Sequence, residues 1–228
     1  MPQHVSLDEA RSLLGRSVLG PEEVGRAFGS IDDGVASLSI PYHREQIEAA
    51  ARRNQMLVLR SAKTADGTDL TIANMIERFP QAFDQALLRK AGYQLKADWG
   101  IELEPLAQTE TCRDAWSLVS REILPETRNL AYDEQTSCLR RHAESVGAPP
   151  QAVRRRTAAE AVYDTLVAFT ATEERLLEKS WDWSASKTVD GGYLNVGGFG
   201  SKGMQILSFS AAVRHGALGI CATYEPVG

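Results

Sequence analysis

Little in this sequence points to metal or redox chemistry. Its three cysteines, Cys112, Cys138 and Cys221, lie far apart and form no C-x-x-C pair. An odd, scattered set reads as reduced thiols acting as small buried hydrophobes, not as a disulfide framework or zinc site. The four histidines, His4, His43, His142 and His215, have no H-E-x-x-H or other ligand spacing. His142 falls in a helical pattern and reads as a core or boundary residue. Positive charge is short as well: 25 Lys and Arg against 30 Asp and Glu leave a net charge of -5. That balance excludes a nucleic-acid binder acting through general electrostatics. No apolar run approaches a membrane span. The opening stretch, MPQHVSLDEARSLLG, has neither a basic flank nor an apolar centre. No secretory leader is therefore expected, and a cytoplasmic address is the default, with a surface or phage-particle location left open. What is present is a globular composition, 43% hydrophobic over 228 residues. That suffices for one good core, or for a small domain and a larger one.

Helix signals dominate the first 100 residues. Ser6 and Glu9 form a capping box ahead of the stripe Leu7, Ala10, Leu13, Leu14, which stops at Gly15. Pro21 opens a helix to Phe28, ended by Gly29. A strand is predicted at Ala36–Ile40, a helix at His43–Asn54, a buried strand at Met56–Arg60, and a turn at Asp66-Gly67. Helices follow at Ile72–Phe79 and Gln81–Ala91, broken by Pro80, and Trp99–Thr111 reads as largely irregular.

Beyond residue 101 the order changes. Trp116–Arg121 is a strand, and Leu130–Val146 a helix with Leu130, Cys138, Leu139 and His142 inward. Thr157-Ala-Ala-Glu160 caps a second helix bearing Ala161, Leu166, Phe169, Leu176 and Leu177 on its apolar side. Between them Arg154-Arg155-Arg156, with Arg140-Arg141 upstream, forms a basic cluster. Such a run docks an acidic partner or RNA, or more simply forms a solvated connection between helices, and the second reading is preferred. At least one of Trp181 and Trp183 is expected in the core.

The stretch Val196–Thr223 organises the rest. Gly198, Gly200 and Gly203 match G-x-G-x-x-G, yet no helical stripe follows, and 25 residues cannot complete a βαβ unit. The stretch reads as antiparallel strands, with a turn at Gly200–Gly203 and a loop at Ser210–Gly216. Gly203 is expected to need φ > 0.

The frame Val196-Gly197-x-Phe199-x-Ser201-x-Gly203-x-x-Ile206-x-x-Phe209, a loop, then Ala217-Leu218-Gly219-Ile220 resembles the variable proteins of diversity-generating retroelements. Trp181-Asp-Trp183-Ser and Leu218-Gly-Ile-Cys221 are similar to frames of the wider formylglycine-generating-enzyme branch. The resemblance covers about the last 50 residues. It implies an α+β chain with a C-type-lectin-like fold, two helices plus short antiparallel strands, over 101–228. A mostly helical segment over 1–100, with one or two strands, would dock on it. It also implies a diversified region at about 195–217, in which Asn195, Gly198, Gly200, Lys202, Met204, Leu207, Ser208, Ser210, Ala212, Val213, Arg214, His215 and Gly216 are the ligand-contacting positions. Adenine-directed randomisation of an AAY codon cannot yield Lys, Glu, Gln, Met or Trp. Leu207–Ala217 lies within the allowed set, whereas Lys202, Met204 and Gln205 do not.

Val196, Phe199, Ile206, Phe209, Leu218 and Ile220 are expected to be buried, and the residues between them mostly outward. Ile206 and Phe209 differ in parity, so burying both on one face requires a bulge or strand end. The calcium tripeptides of sugar-binding lectins are absent, and Cys221 has no partner nearby in sequence. The implied function is therefore a receptor-like binding module for a protein ligand, with no catalytic residue, metal or cofactor. The alternatives are an enzyme of the formylglycine-generating branch and a phage structural protein.

Overall fold

The structure, a computed structural model, describes residues 4–88 and 100–226. It is an α+β fold with two sheets. In the first 88 residues, helix α1 (Leu7–Leu14) starts at the expected capping box, where the Ser6 hydroxyl accepts from the Glu9 amide at 3.2 Å. A two-residue strand β1 (Val18–Leu19) precedes helix α2 (Pro21–Phe28). The expected strand at 36–40 is absent. Asp32 instead caps a short helix α3 (Asp33–Ala36), its carboxylate accepting from Gly34 N–H at 2.8 Å. This local side-chain bond competes with any extended pairing. Helix α4 (Arg44–Arg52), strand β2 (Gln55–Arg60) and helix α5 (Ile72–Arg78) follow as expected. The helix expected at 81–91 does not form over its described part. Phe83 there makes an isolated parallel bridge to Met204. The rest of that span, and Trp99, lie outside the described residues. A short helix α6 (Pro105–Thr109) interrupts the stretch expected to be irregular.

The chain then gives strand β3 (Ala115–Ser120), helix α7 (Tyr132–Ser145), strand β4 (Val153–Arg155) and helix α8 (Ala158–Thr172). Strands β5 (Trp181–Lys187), β6 (Tyr193–Gly200), β7 (Gly203–Phe209), β8 (Leu218–Gly219) and β9 (Ala222–Tyr224) complete it. The first sheet has the order β1-β2-β3-β9-β4 and the second β7-β6-β5-β8. β2 pairs with β3 along its whole length, from Gln55↔Ser120 to Arg60↔Ala115, so the N-terminal segment and the later strands share one sheet. β3 also pairs with β9, which closes the span from 115 to 224 on itself.

Helix α8 is the element between the sheets. It packs against β1 and β2 of the first, β5 and β6 of the second, and helices α2 and α5. Buried on all sides from Ala158 to Ala168, it is built largely of small residues that let its neighbours approach. Its two acids, Glu160 and Asp164, are therefore buried as well. No helix among the described residues is long and apolar enough to cross a membrane.

Candidate functional site

The 13 sequence-derived contact positions divide into two groups. Lys202, Ala212, Arg214, His215 and Gly216 are exposed, and Gly200, Ser210 and Val213 are half-buried. Asn195, Gly198, Met204, Leu207 and Ser208 are buried, contrary to the expectation that they face outward. The reason is that both faces of the second sheet are covered. Met204 and Ile206 point into the main core, whereas Leu207 and Phe209 join a second cluster with Tyr132, Trp183 and Leu218. The opposite parity of Ile206 and Phe209 thus needs no bulge between them. The β6–β7 register runs unbroken from Tyr193↔Phe209 to Gly197↔Gln205, and shifts only between Gly197 and Gly200. Ser208 faces Thr188, oxygen to oxygen at 3.4 Å. Gly198 lies under the Trp181 indole, where an added Cβ would sit 2.7 Å from Cζ2.

The second cluster forms the floor of the candidate surface. Tyr132, the first residue of α7, stacks on Tyr193 with centroids 3.8 Å apart and meets Trp183 edge-on at 5.2 Å. Trp183 is fully buried, and Trp181 half-buried with His215 6.3 Å from its ring. Trp183 and Asn195 are cross-strand partners, so their side chains share this face. The amide of Asn195 and both indole N–H groups find no protein partner among the described residues. Such groups are costly to bury, by about 1–3 kcal/mol each. The 210–217 loop covers the cluster, with Ala211 and Val213 packed on it.

The bonds holding this loop run mostly through its main chain. The carbonyl of Ala211 accepts from Tyr132 N–H at 3.0 Å, and that of Ser210 from Val213 N–H at 3.0 Å. His215 C=O accepts from both Asn129 N–H and Leu218 N–H at 3.1 Å, and Ala217 C=O from Trp181 N–H at 2.8 Å. Arg128 reaches Gly216 C=O at 3.0 Å. Asn129 holds its donor in place from a left-handed conformation, φ 55°, which asparagine tolerates better than most residues. Side-chain ties are fewer: Arg214 pairs with Glu134 on the surface, and the Ser210 hydroxyl and His215 ring accept from nearby amides.

The arginine run is not the solvated connection expected between two helices. Arg155 and Arg156 are buried, and Arg154 is half-buried. Arg156 donates to Asp182 at 2.8 Å and Asp164 at 3.0 Å. Asp164 is gripped in bidentate fashion by Arg60 at 2.6 and 2.9 Å. Arg60 also donates to Glu160 at 2.8 Å, which takes two bonds of 2.7 Å from Arg154. Arg154 ends the chain on Glu225 at 2.7 Å. Burial alone would raise Glu160's pKa, but Arg60 and Arg154 outweigh it and hold the carboxyl at about 2. Burial pushes Asp182 up despite Arg156 and the amide of Cys221. The sequence signal for this network was the pair Glu160 and Asp164, four apart on a helix otherwise apolar all round.

His142 is a tie between elements. Its ring nitrogens lie 2.8 Å from Glu126 and 2.8 Å from the Tyr224 hydroxyl, joining α7 to β9. Burial raises the Tyr224 pKa, which keeps that phenol protonated and unsuited to act as a nucleophile. Cys112, Cys138 and Cys221 are free and buried. Burial pushes the thiols of Cys112 and Cys221 well up, away from the thiolate form that metal binding and attack require. Among the described residues no three His, Cys, Asp or Glu side chains gather as a metal-ligand set. No protein-family model, curated protein or solved structure matches this chain.

Proposed function

We propose that this protein is a binding module whose exposed 210–216 loop, with the adjoining Gly200–Lys202 turn, is a replaceable contact surface for a partner protein. The observation that carries the reading is the way the loop is held. Its carbonyls at 210, 211, 215, 216 and 217 take the anchoring bonds. Bonds to main-chain carbonyls survive exchange of the side chains beside them. Ala212, Arg214, His215 and Gly216 are exposed and add nothing to either apolar cluster. A site whose residues change while its shape persists is what a retroelement-diversified receptor requires. Two helices, α7 and α8, followed only by short strands are also the element order of the C-type-lectin fold. The surface is shallow and built mostly of small residues, with two cations, Lys202 and Arg214, which suits a protein better than a sugar. The raised thiols favour this reading over a formylglycine-generating enzyme.

Burial, together with the codon limit that excludes the exposed Lys202, narrows the variable set to Gly200, Ser210, Ala212, Val213, Arg214, His215 and Gly216. Sequencing the DNA beside the gene tests the proposal. A reverse transcriptase and a near-copy of the gene's 3′ end are expected, with mismatches at template adenines concentrated in these codons. A near-copy whose mismatches ignore adenine, or the absence of both elements, would overturn it.

A further inference from the structure

A second concave site lies away from the loop surface. It is an open cavity of about 540 Å³ between α7, β4 and the start of α8, within the size range of small-molecule sites. Arg113, Arg140, Arg154 and Arg155 line it, against the carboxylate of Glu160. Glu160 is already neutralised, by Arg154 and by Arg60. Arg154 is in turn paired with Glu160 and Glu225. Among the described residues the other three arginines have no carboxylate within ion-pair distance.

Arg155 is the informative one. Its guanidinium is buried and lies 3.9 Å from the centroid of the Tyr132 ring. Its partners are all neutral. They are the carbonyls of Trp183 and Tyr132 at 2.9 and 2.8 Å, the Gln135 amide oxygen at 3.1 Å, and the Thr136 hydroxyl at 3.3 Å. Its Nε is buried without an acceptor. Burial lowers its pKa, a sign that the charge is held at a cost. Arg113 and Arg140 are exposed, with no carboxylate within ion-pair distance among the described residues. Arg113 and Arg140, without an ion-pair partner among the described residues, and Arg155, hydrogen-bonded to neutral groups, lie around one cavity and favour an anion there. Leu139, Val153 and Ala185 supply an apolar wall beside them.

We infer that this cleft binds a small organic phosphate, its oxyanion facing Arg113 and Arg140 and its apolar body against Leu139 and Val153. Guanidinium groups match a phosphate in paired, charge-assisted bonds. The site does not depend on the loop surface, and its occupancy does not require that reading to hold.

Phenyl phosphate is the probe, with phenol as its uncharged counterpart, titrated into the full chain by calorimetry and by thermal shift. Saturable binding of phenyl phosphate, a raised midpoint and no effect of phenol are expected. Arg113→Ala/Arg140→Ala should leave the unliganded midpoint in place and weaken binding at least about tenfold. Arg140→Glu alone is the second variant, should the double one fold poorly, and should weaken binding further than Arg140→Ala. Absence of saturable binding by the wild type, equal affinity in the variants, or equal binding of phenol would overturn the assignment.

Discussion

Glu160 shows how single charges tie this protein together. It sits on α8, buried, and takes bonds from arginines on two different strands, Arg60 on β2 and Arg154 on β4. Breaking a buried pair by removing one member leaves the other uncompensated, at a cost of about 3–5 kcal/mol. The folded pKa near 2, against an ordinary 4.5, has a direct consequence for acid stability. Glu160 releases its proton more readily folded than unfolded. Its stabilisation is complete above about pH 4.5 and fades as pH falls toward 2, by roughly 3 kcal/mol in all. Asp182 acts in the opposite sense, because its raised pKa makes protonation easier in the folded state. Urea unfolding of wild type and Glu160→Gln across pH 2 to 6 isolates the Glu160 contribution. The variant curve should be the flatter below pH 4.5, with the two converging toward pH 2. Parallel curves would mean that Glu160 does not carry the charge assigned to it. Sequence legibility is uneven at this scale. The capping residues Ser6, Thr157 and Glu160 were readable because their partners lie three positions away. Arg60, Arg155 and Arg156 were not, because all but one of their partners lie about 20 to 160 residues off and a charge run ordinarily faces solvent.

At the scale of elements, the β6–β7 hairpin meets the 83–84 backbone from the first half of the chain. Gly203 opens β7 at φ 106°, as the turn reading required. A second reason is visible only in three dimensions. A Cβ there would lie 2.4 Å from the carbonyl carbon of Phe83, because the 83–84 backbone crosses directly above. Asp84 N–H donates to Met204 C=O at 2.9 Å in the same crossing. Gly203→Ala should therefore destabilise by ~2–5 kcal/mol, combining left-handed strain with a backbone clash that no rotamer relieves. Chemical denaturation measures it, and a loss under about 0.5 kcal/mol would mean the crossing is misplaced. The hairpin and its turn were legible from glycine spacing and alternation. The inside/outside assignment along β7 was not, because period-2 reasoning presumes one wet face. Here α7 and the 210–217 loop cover the second face, so Leu207 and Phe209 are buried along with Ile206. The 36–40 strand failed for a local reason, the Asp32 cap, which competes with pairing over those residues.

The whole molecule is two sheets held on one buried helix, with a loop laid over the outer face of the second. Helix α8 was readable from its cap and apolar run. Its place between the sheets follows from pairings of β2 with β3 and β3 with β9, the longest of which spans just under half the chain. Such long-range pairings leave no local mark in a sequence. The arrangement separates two kinds of position. Core residues such as Phe209 fix the outer cluster, and loop residues ride on main-chain bonds. Thermal unfolding of two variants compares them directly. In one, the exposed Ala212, Arg214 and His215 are replaced together by Ser, Asn and Ser, and in the other Phe209 by Ala. The loop variant should melt within about 3 °C of wild type, as exposed substitutions do. Phe209→Ala should lower the midpoint by on the order of 10 °C, from about 3–5 kcal/mol of lost packing. A loop variant that melts as low as Phe209→Ala would contradict a contact surface that changes residue without changing the fold.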